Sequence, residues 1–183
     1  MPPREPSGPS LSGVVSDANA VGLEYVVIGG FSVIYHGYIR ATKDSDLLVP
    51  NGPDSDEAIL RFLDRAEGRR LSDQTRLTIE DVADAENLRV DSRHGIVDIM
   101  HGGLPPLDFV TVADRALDFD IDGHHARVAS LPSVVGFKRL AARPQDQADL
   151  AELEAIYGEL PIEPIPGLDM EGTASQGQEP TQE

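Results

Sequence analysis

Gly29-Gly30-Phe31-Ser32 and, a short way downstream, Asp44-Ser45-Asp46 are the residues of this chain best suited to chemistry. A short apolar run, Tyr25-Val26-Val27-Ile28, leads into the glycines, and Leu47-Leu48-Val49 follows the aspartates. The expected order is strand, Gly-Gly-x-Ser, short helix, Asp-x-Asp, strand. Glycines at a strand end let backbone N–H groups approach a phosphate with no Cβ in the way, and the next helix start adds the positive end of its dipole. Two aspartates one residue apart on an extended segment project to the same side, and their hard oxygens suit Mg²⁺. A phosphate cradle facing a divalent-metal site is the minimum equipment for phosphoryl or nucleotidyl transfer.

Neither half is informative alone. Asp-x-Asp occurs at 44/46, 54/56, 118/120 and 120/122, in a chain with 32 acidic residues. Only the first pair follows a Gly-Gly-x-Ser turn. Asp98 enters for a separate reason. It lies in Ile96-Val97-Asp98-Ile99-Met100, where alternation puts it on one face with Ile96 and Met100. An acid between apolar neighbours on an internal strand is costly unless it meets a cation or a donor. Asp91 competes, but it sits nearer the turn, where a solvated acid needs no partner.

The elements that must position these groups can be read from periodicity and turn chemistry. Leu11, Val14, Val15, Ala18 and Val21 keep helical spacing, so residues 10–21 are expected to be a helix. Residues 31–36 form a short helix that Gly37 ends, with His36 as a capping or packing residue. Asp54 with Glu57 reads as a capping box opening a helix, which gives the 54/56 pair a structural task. Thr78 with Asp81 reads as another, for a helix through Ala85. Residues 88–91 and 96–100 flank Ser92-Arg93-His94-Gly95 as a hairpin, and Asp122-Gly123 centres a second. Further helices are expected over 109–117, 131–142 and 146–157. The fold class is α/β: a small mixed sheet with strands near 25–28, 46–49, 88–91 and 96–100, flanked by helices, with a C-terminal helical pair as a lid. Residues 10–158 make one domain, 1–9 a flexible N-terminus and 159–183 a disordered acidic tail.

Bulk properties narrow the function classes. The 183 residues carry a formal net charge of −17. Residues 159–183 hold six acids and no base, which leaves −11 on the rest. That argues against a basic face for duplex DNA. Arg61, Arg65, Arg69, Arg70 and Arg76 offer a local patch for a tRNA acceptor, or a solvated helix face. There is no cysteine, which excludes disulfides, thiolate zinc sites and a cysteine nucleophile. No signal-peptide pattern opens the chain and no apolar run is membrane-length, so a cytoplasmic protein is expected. Thirteen arginines accompany only two lysines, Lys43 and Lys138. A compact ammonium suits a triphosphate as a point charge.

The stretch Ile28-Gly29-Gly30-Phe31-Ser32 … Asp44-Ser45-Asp46 resembles the nucleotidyltransferase superfamily of the DNA polymerase β type. It is most similar to the minimal and abortive-infection-type bacterial branch, many of whose members are toxins of toxin–antitoxin pairs. His36-Gly37-Tyr38-Ile39-Arg40-Ala41-Thr42-Lys43 carries the flavour of that branch, as does the Lys138…Arg143…Asp146…Asp149 segment. The resemblance spans 21–157 and is weakest over 50–85. It implies transfer of a nucleoside monophosphate from an NTP to an acceptor hydroxyl, on a tRNA end or a protein side chain. Two Mg²⁺ ions would be held by Asp44 and Asp46, with Asp98 the third carboxylate. Gly29, Gly30 and Ser32 would cradle the β- and γ-phosphates, and Lys138 or Lys43 would neutralise charge. Arg40 would do the same or pair with an acid. A cognate antitoxin would be a partner. The alternatives are a non-catalytic nucleotide-binding or antitoxin-like module of the same fold, and an Asp-x-Asp glycosyltransferase.

Overall fold

A computed structural model describes residues 8–169. Leu11–Ala20 is the first helix (α1), started by Ser10, whose hydroxyl accepts from the Gly13 N–H at 3.3 Å. The apolar run before the glycines gives strand β1 (Val26–Ile28), which passes directly into helix α2 (Gly29–Tyr35). The Asp-x-Asp segment opens β2 (Asp44–Val49). Next come α3 (Pro53–Arg65), a short β3 (Arg69–Arg70) and α4 (Ile79–Ala83). The first hairpin is β4 (Asn87–Ser92) and β5 (Gly95–His101). After α5 (Phe109–Asp114), the second hairpin is β6 (Leu117–Ile121) and β7 (His124–Val128). Helices α6 (Leu131–Ala141) and α7 (Pro144–Tyr157) follow.

The seven strands form one mixed sheet in the order β3-β4-β5-β2-β1-β7-β6. All four expected strands are in it. The second hairpin joins through β7, which runs parallel to β1 at Val27↔Val128, and β3 adds a two-residue edge. Alternation explains the two layers. Val27, Leu47, Val97 and Ile99 face a core closed by α1, α3 and Val82 of α4. Val26, Ile28 and Leu48 face the other side, under Val112, Val134 and Leu153 from α5, α6 and α7. Both faces are covered, so the central strands are apolar wherever no special task intervenes.

Three local expectations are corrected. Gly52, not Asp54, is the N-cap of α3, and the Asp54–Glu57 capping box does not form. Pro53 at the first helical position needs no N–H partner and moves the start back two residues. Asp54 and Asp56 lie in the first turn, where they favour the dipole. Helix α5 ends at Asp114 rather than Leu117, because Leu117 is taken into β6 opposite Val128. Pro144 starts α7 rather than only stopping α6, with left-handed Ala142 (φ 51°) between the two helices. The Thr78–Asp81 capping box is present.

Residues 160–169, the first part of the expected structureless tail from residue 159, pack on the body. Ile165 is buried, Leu160 packs against the second core, and Arg115 grips Glu163 at 2.6 and 2.8 Å. Arg139 pairs with Asp169. Residues 170–183, like 1–7, lie outside the described residues. Deleting the chain from Pro161 should therefore lower stability by about 2 kcal/mol, the scale of exposing one large aliphatic side chain and its neighbours. That corresponds to a melting drop of roughly 5 °C, and scanning calorimetry reads it. A drop within one degree would mean the segment is not held. Among the described residues no helix is long and apolar enough to cross a membrane.

Candidate active site

Strand register brings the acids together. Asp98 of β5 pairs with Asp46 of β2, and Asp46 pairs on its other side with Ile28, the last residue before the glycines. Asp44, two residues back, shares the Asp46 face. Oxygens of Asp44, Asp46 and Asp98 all lie within 4.8 Å of one another. Among the described residues this is the one group of three or more potential metal ligands so placed. Asp91 pairs with Arg69 and Ile96 and is not in the group.

The glycine turn is built around these acids. Gly29 has φ +63°, and a Cβ there would lie 2.0 Å from Oδ2 of Asp46. A Cβ on Gly30 would meet Oγ1 of Thr42 at 2.5 Å and a guanidinium nitrogen of Arg40 at 3.2 Å. The Gly30 N–H faces the Asp46 carboxylate closely enough to favour its charge. Ser32 is buried and donates to the Gly29 carbonyl at 2.7 Å, so its hydroxyl braces the turn. Gly29→Ala should displace Asp46 and impose a backbone conformation that L residues rarely adopt. We expect at least tenfold weaker divalent-metal binding by titration calorimetry, the loss of roughly one good ligand contact. Unaltered metal binding would show that Asp46 is not held by this approach.

Burial, together with the charges of Asp44 and Asp98, pushes the Asp46 carboxyl up to about 7, against the Gly30 N–H and the Lys138 ammonium. Asp98 is also raised, by burial and by Asp44, although Arg89 pulls the other way. Three carboxylates that resist joint ionisation are what a divalent cation relieves, and their all-oxygen donor set suits Mg²⁺. The residues present fit such an ion.

The remaining candidates occupy different positions. Lys43 is exposed at the entrance to β2. Lys138 is buried, and its ammonium lies 2.8 Å from both Asp146 and Asp149. Arg40 donates to Asp149 at 2.8 Å, which ties the 36–43 connection to α7. Burial works against the Asp146 charge, but hydrogen bonds from Arg143 and Lys138 hold its carboxyl down, to about 2. Asp149 is likewise held low against burial, by Arg40, Lys138 and Gln145. The Lys138 ammonium thus serves a buried ion network behind the acids, and its charge reaches Asp46 from there. His36 is a packing residue, its Nε2 2.8 Å from the Ala129 carbonyl.

Two arginines that were not among the expected site residues stand beside the acids. Arg143 sits largely exposed with its Nε 2.7 Å from Asp146, near enough for its charge to act on Asp44 and Asp46. Arg89 of β4 pairs in register with Asp98 and bridges it to Asp44. The one available signal for Arg89 was its place in the other arm of the hairpin that carries Asp98. The arginines of the proposed basic patch are engaged elsewhere. Arg65 binds buried Asp17 at 2.9 Å, Arg70 binds Asp81 at 2.8 Å, and Arg61 and Arg76 face Glu57 and Asp64 at 3.8 and 3.5 Å.

No family model and no curated protein matches the sequence. Solved structures do. An antigenic nucleotidyltransferase-like protein from Paracoccidioides brasiliensis aligns with a TM-score of 0.54 and 15% identity, over 80% of this chain and 74% of that one. The antibiotic-resistance factor ANT(2'')-Ia aligns with a TM-score of 0.55 and 12% identity, over 80% and 84%. A second structure of ANT(2'')-Ia, in complex with adenylyl-2''-tobramycin, aligns at 0.54 and 12%, over 78% and 84%. At these identities the likeness defines the fold: this is a chain of nucleotidyltransferase-like architecture.

Proposed function

We propose that the protein transfers a nucleoside monophosphate from an NTP to an acceptor hydroxyl. The observation that carries this is the convergence of Asp44, Asp46 and Asp98 beside a glycine turn that leaves no room for a side chain. Mg²⁺ bound by the three carboxylates would neutralise phosphate charge and acidify the acceptor hydroxyl. Gly29 and Gly30 let the turn pack directly against Asp46, Thr42 and Arg40, which sets backbone N–H groups beside the acids where a triphosphate would sit. Arg143 and exposed Lys43 supply positive charge at the mouth. Arg40, Lys138 and Asp149 hold the connection between the turn and the acids in place. The acceptor oxygen attacks the α-phosphorus, a new P–O bond forms, and the bond to pyrophosphate breaks. The hydroxyl proton leaves to a carboxylate, and Asp98, the third acid of the cluster, is the candidate to take it.

A protein or small-molecule hydroxyl fits the surface better than a tRNA end, because four of the five arginines of the candidate patch face acids and the chain is strongly acidic. The role of toxin with a cognate antitoxin rests on the sequence resemblance, and co-purification with the product of the adjacent gene tests it. Incubation with α-labelled NTPs and Mg²⁺ tests the reaction. Pyrophosphate release with label transfer supports it. Nucleotide binding without release would identify a non-catalytic module, and sugar transfer from a nucleotide sugar a glycosyltransferase.

A further inference from the structure

We propose that Arg89 is a built-in counter-ion that occupies the cation position between Asp44 and Asp98, and that a divalent metal must displace it to enter. This rests on reading the three carboxylates as a metal site. Arg89 stands opposite Asp98 in the β4–β5 register, so its side chain leaves the sheet beside that acid. One guanidinium nitrogen bonds Asp98 and another lies 3.1 Å from Oδ2 of Asp44. A planar fork holds two donors in fixed geometry across the two carboxylates, whereas a lysine would present one compact ammonium on a flexible stem.

The arrangement has a reason and a consequence. Without a cation, three carboxylates this close repel one another, and Arg89 offsets that for two of them. Asp46, the most enclosed, receives only the Gly30 N–H and the more distant Lys138 charge. The Arg89 side chain is about half exposed (51%), so it can swing out without opening the core. Once displaced it stands at the mouth with five free donors, where the anionic substrate arrives. Metal loading thus releases a phosphate-binding group, and the metal-free site stays closed to stray cations.

The experiment is titration of Mn²⁺ into the metal-free protein by calorimetry and by electron paramagnetic resonance, without nucleotide. Wild type, Arg89→Ala, Arg89→Lys and Asp46→Asn are compared, with thermal melting as the check on folding. Displacement predicts roughly tenfold tighter Mn²⁺ binding for Arg89→Ala, because charge-assisted bonds need no longer be broken. It also predicts a clear gain for Arg89→Lys, which keeps the charge but loses the fork. Equal affinity in wild type and Arg89→Lys would reduce Arg89 to a background charge and overturn the proposal. Unchanged or weaker binding by Arg89→Ala would overturn it as well. Loss of Mn²⁺ binding in Asp46→Asn confirms that the titrated site is the carboxylate cluster. If Asp46→Asn binds like wild type, the metal-site reading itself fails and the proposal falls with it.

Discussion

Asp46→Asn should abolish transfer and at the same time stabilise the metal-free protein at pH 8. Loss of a ligand should lower turnover by at least about a thousandfold, since the metal contributes several kcal/mol and each 1.36 kcal/mol is tenfold. The stability effect follows from linkage. The Asp46 carboxyl lies at about 7 in the fold against 3.8 as the reference. A raised carboxyl contributes fully below the reference value, and that contribution is lost as pH rises through about 7. The ceiling on the loss is on the order of 4 kcal/mol, and counter-ions and solvent reduce it. Asparagine cannot ionise, so the variant should melt higher than wild type at pH 8 and alike at pH 4. Mg²⁺ should close the gap by stabilising wild type alone. Near-normal turnover, or a difference independent of pH, would remove Asp46 from the metal site.

Lys138→Ala should be among the most damaging single substitutions in the chain. The side chains of Lys138, Asp146 and Asp149 are 6%, 1% and 0% exposed, and the ammonium bonds both carboxylates. Removing it leaves Asp146 with Arg143 and Asp149 with Arg40 and Gln145, each short of a buried charge partner. Breaking such a network typically costs about 3–5 kcal/mol, or roughly 10 °C in melting for a domain of this size. Urea denaturation at pH 7 reads it directly. The sign with pH is also set. The Asp146 carboxyl is depressed to about 2 from 3.8, so its contribution is present above 3.8 and lost as pH falls through 2. Wild type should therefore lose its advantage over Lys138→Ala in strong acid. The family resemblance instead implies a lysine that neutralises phosphate charge, whose removal weakens nucleotide binding with little change in melting. A loss below 1 kcal/mol at pH 7 would restore that view.

Much of the site was legible because its parts are local. Gly29-Gly30 at a strand end, and two aspartates at spacing two, need only strand alternation to be placed on one side of a turn. Asp98 was legible as an acid among apolar neighbours on an alternating strand. Asp146 and Asp149, which belong to the family resemblance, also carry with Leu153 a signal of burial in their spacing. They fall at spacings of three and four on one helix, and all three are buried. Two acids in the apolar stripe of a helix imply a buried cation, and Val134 and Lys138, one turn apart on α6, place the lysine on the inward face as well.

The sequence by itself determined the strand–turn–helix–strand that holds the glycines and aspartates, the hairpin that carries Asp98, and the acidic composition that disfavours a basic face for duplex DNA. These follow from period, turn chemistry and charge, which act over a few residues or over the whole chain. Only the tertiary structure decided that Asp98 pairs with Asp46, that Arg89 reaches Asp44, and that Lys138 is enclosed by Asp146 and Asp149. It alone seated the β6–β7 hairpin against β1 and residues 160–169 against the body. Those pairings join segments tens of residues apart, and strand register and helix docking are settled by packing of the whole core, to which no short window of sequence has access.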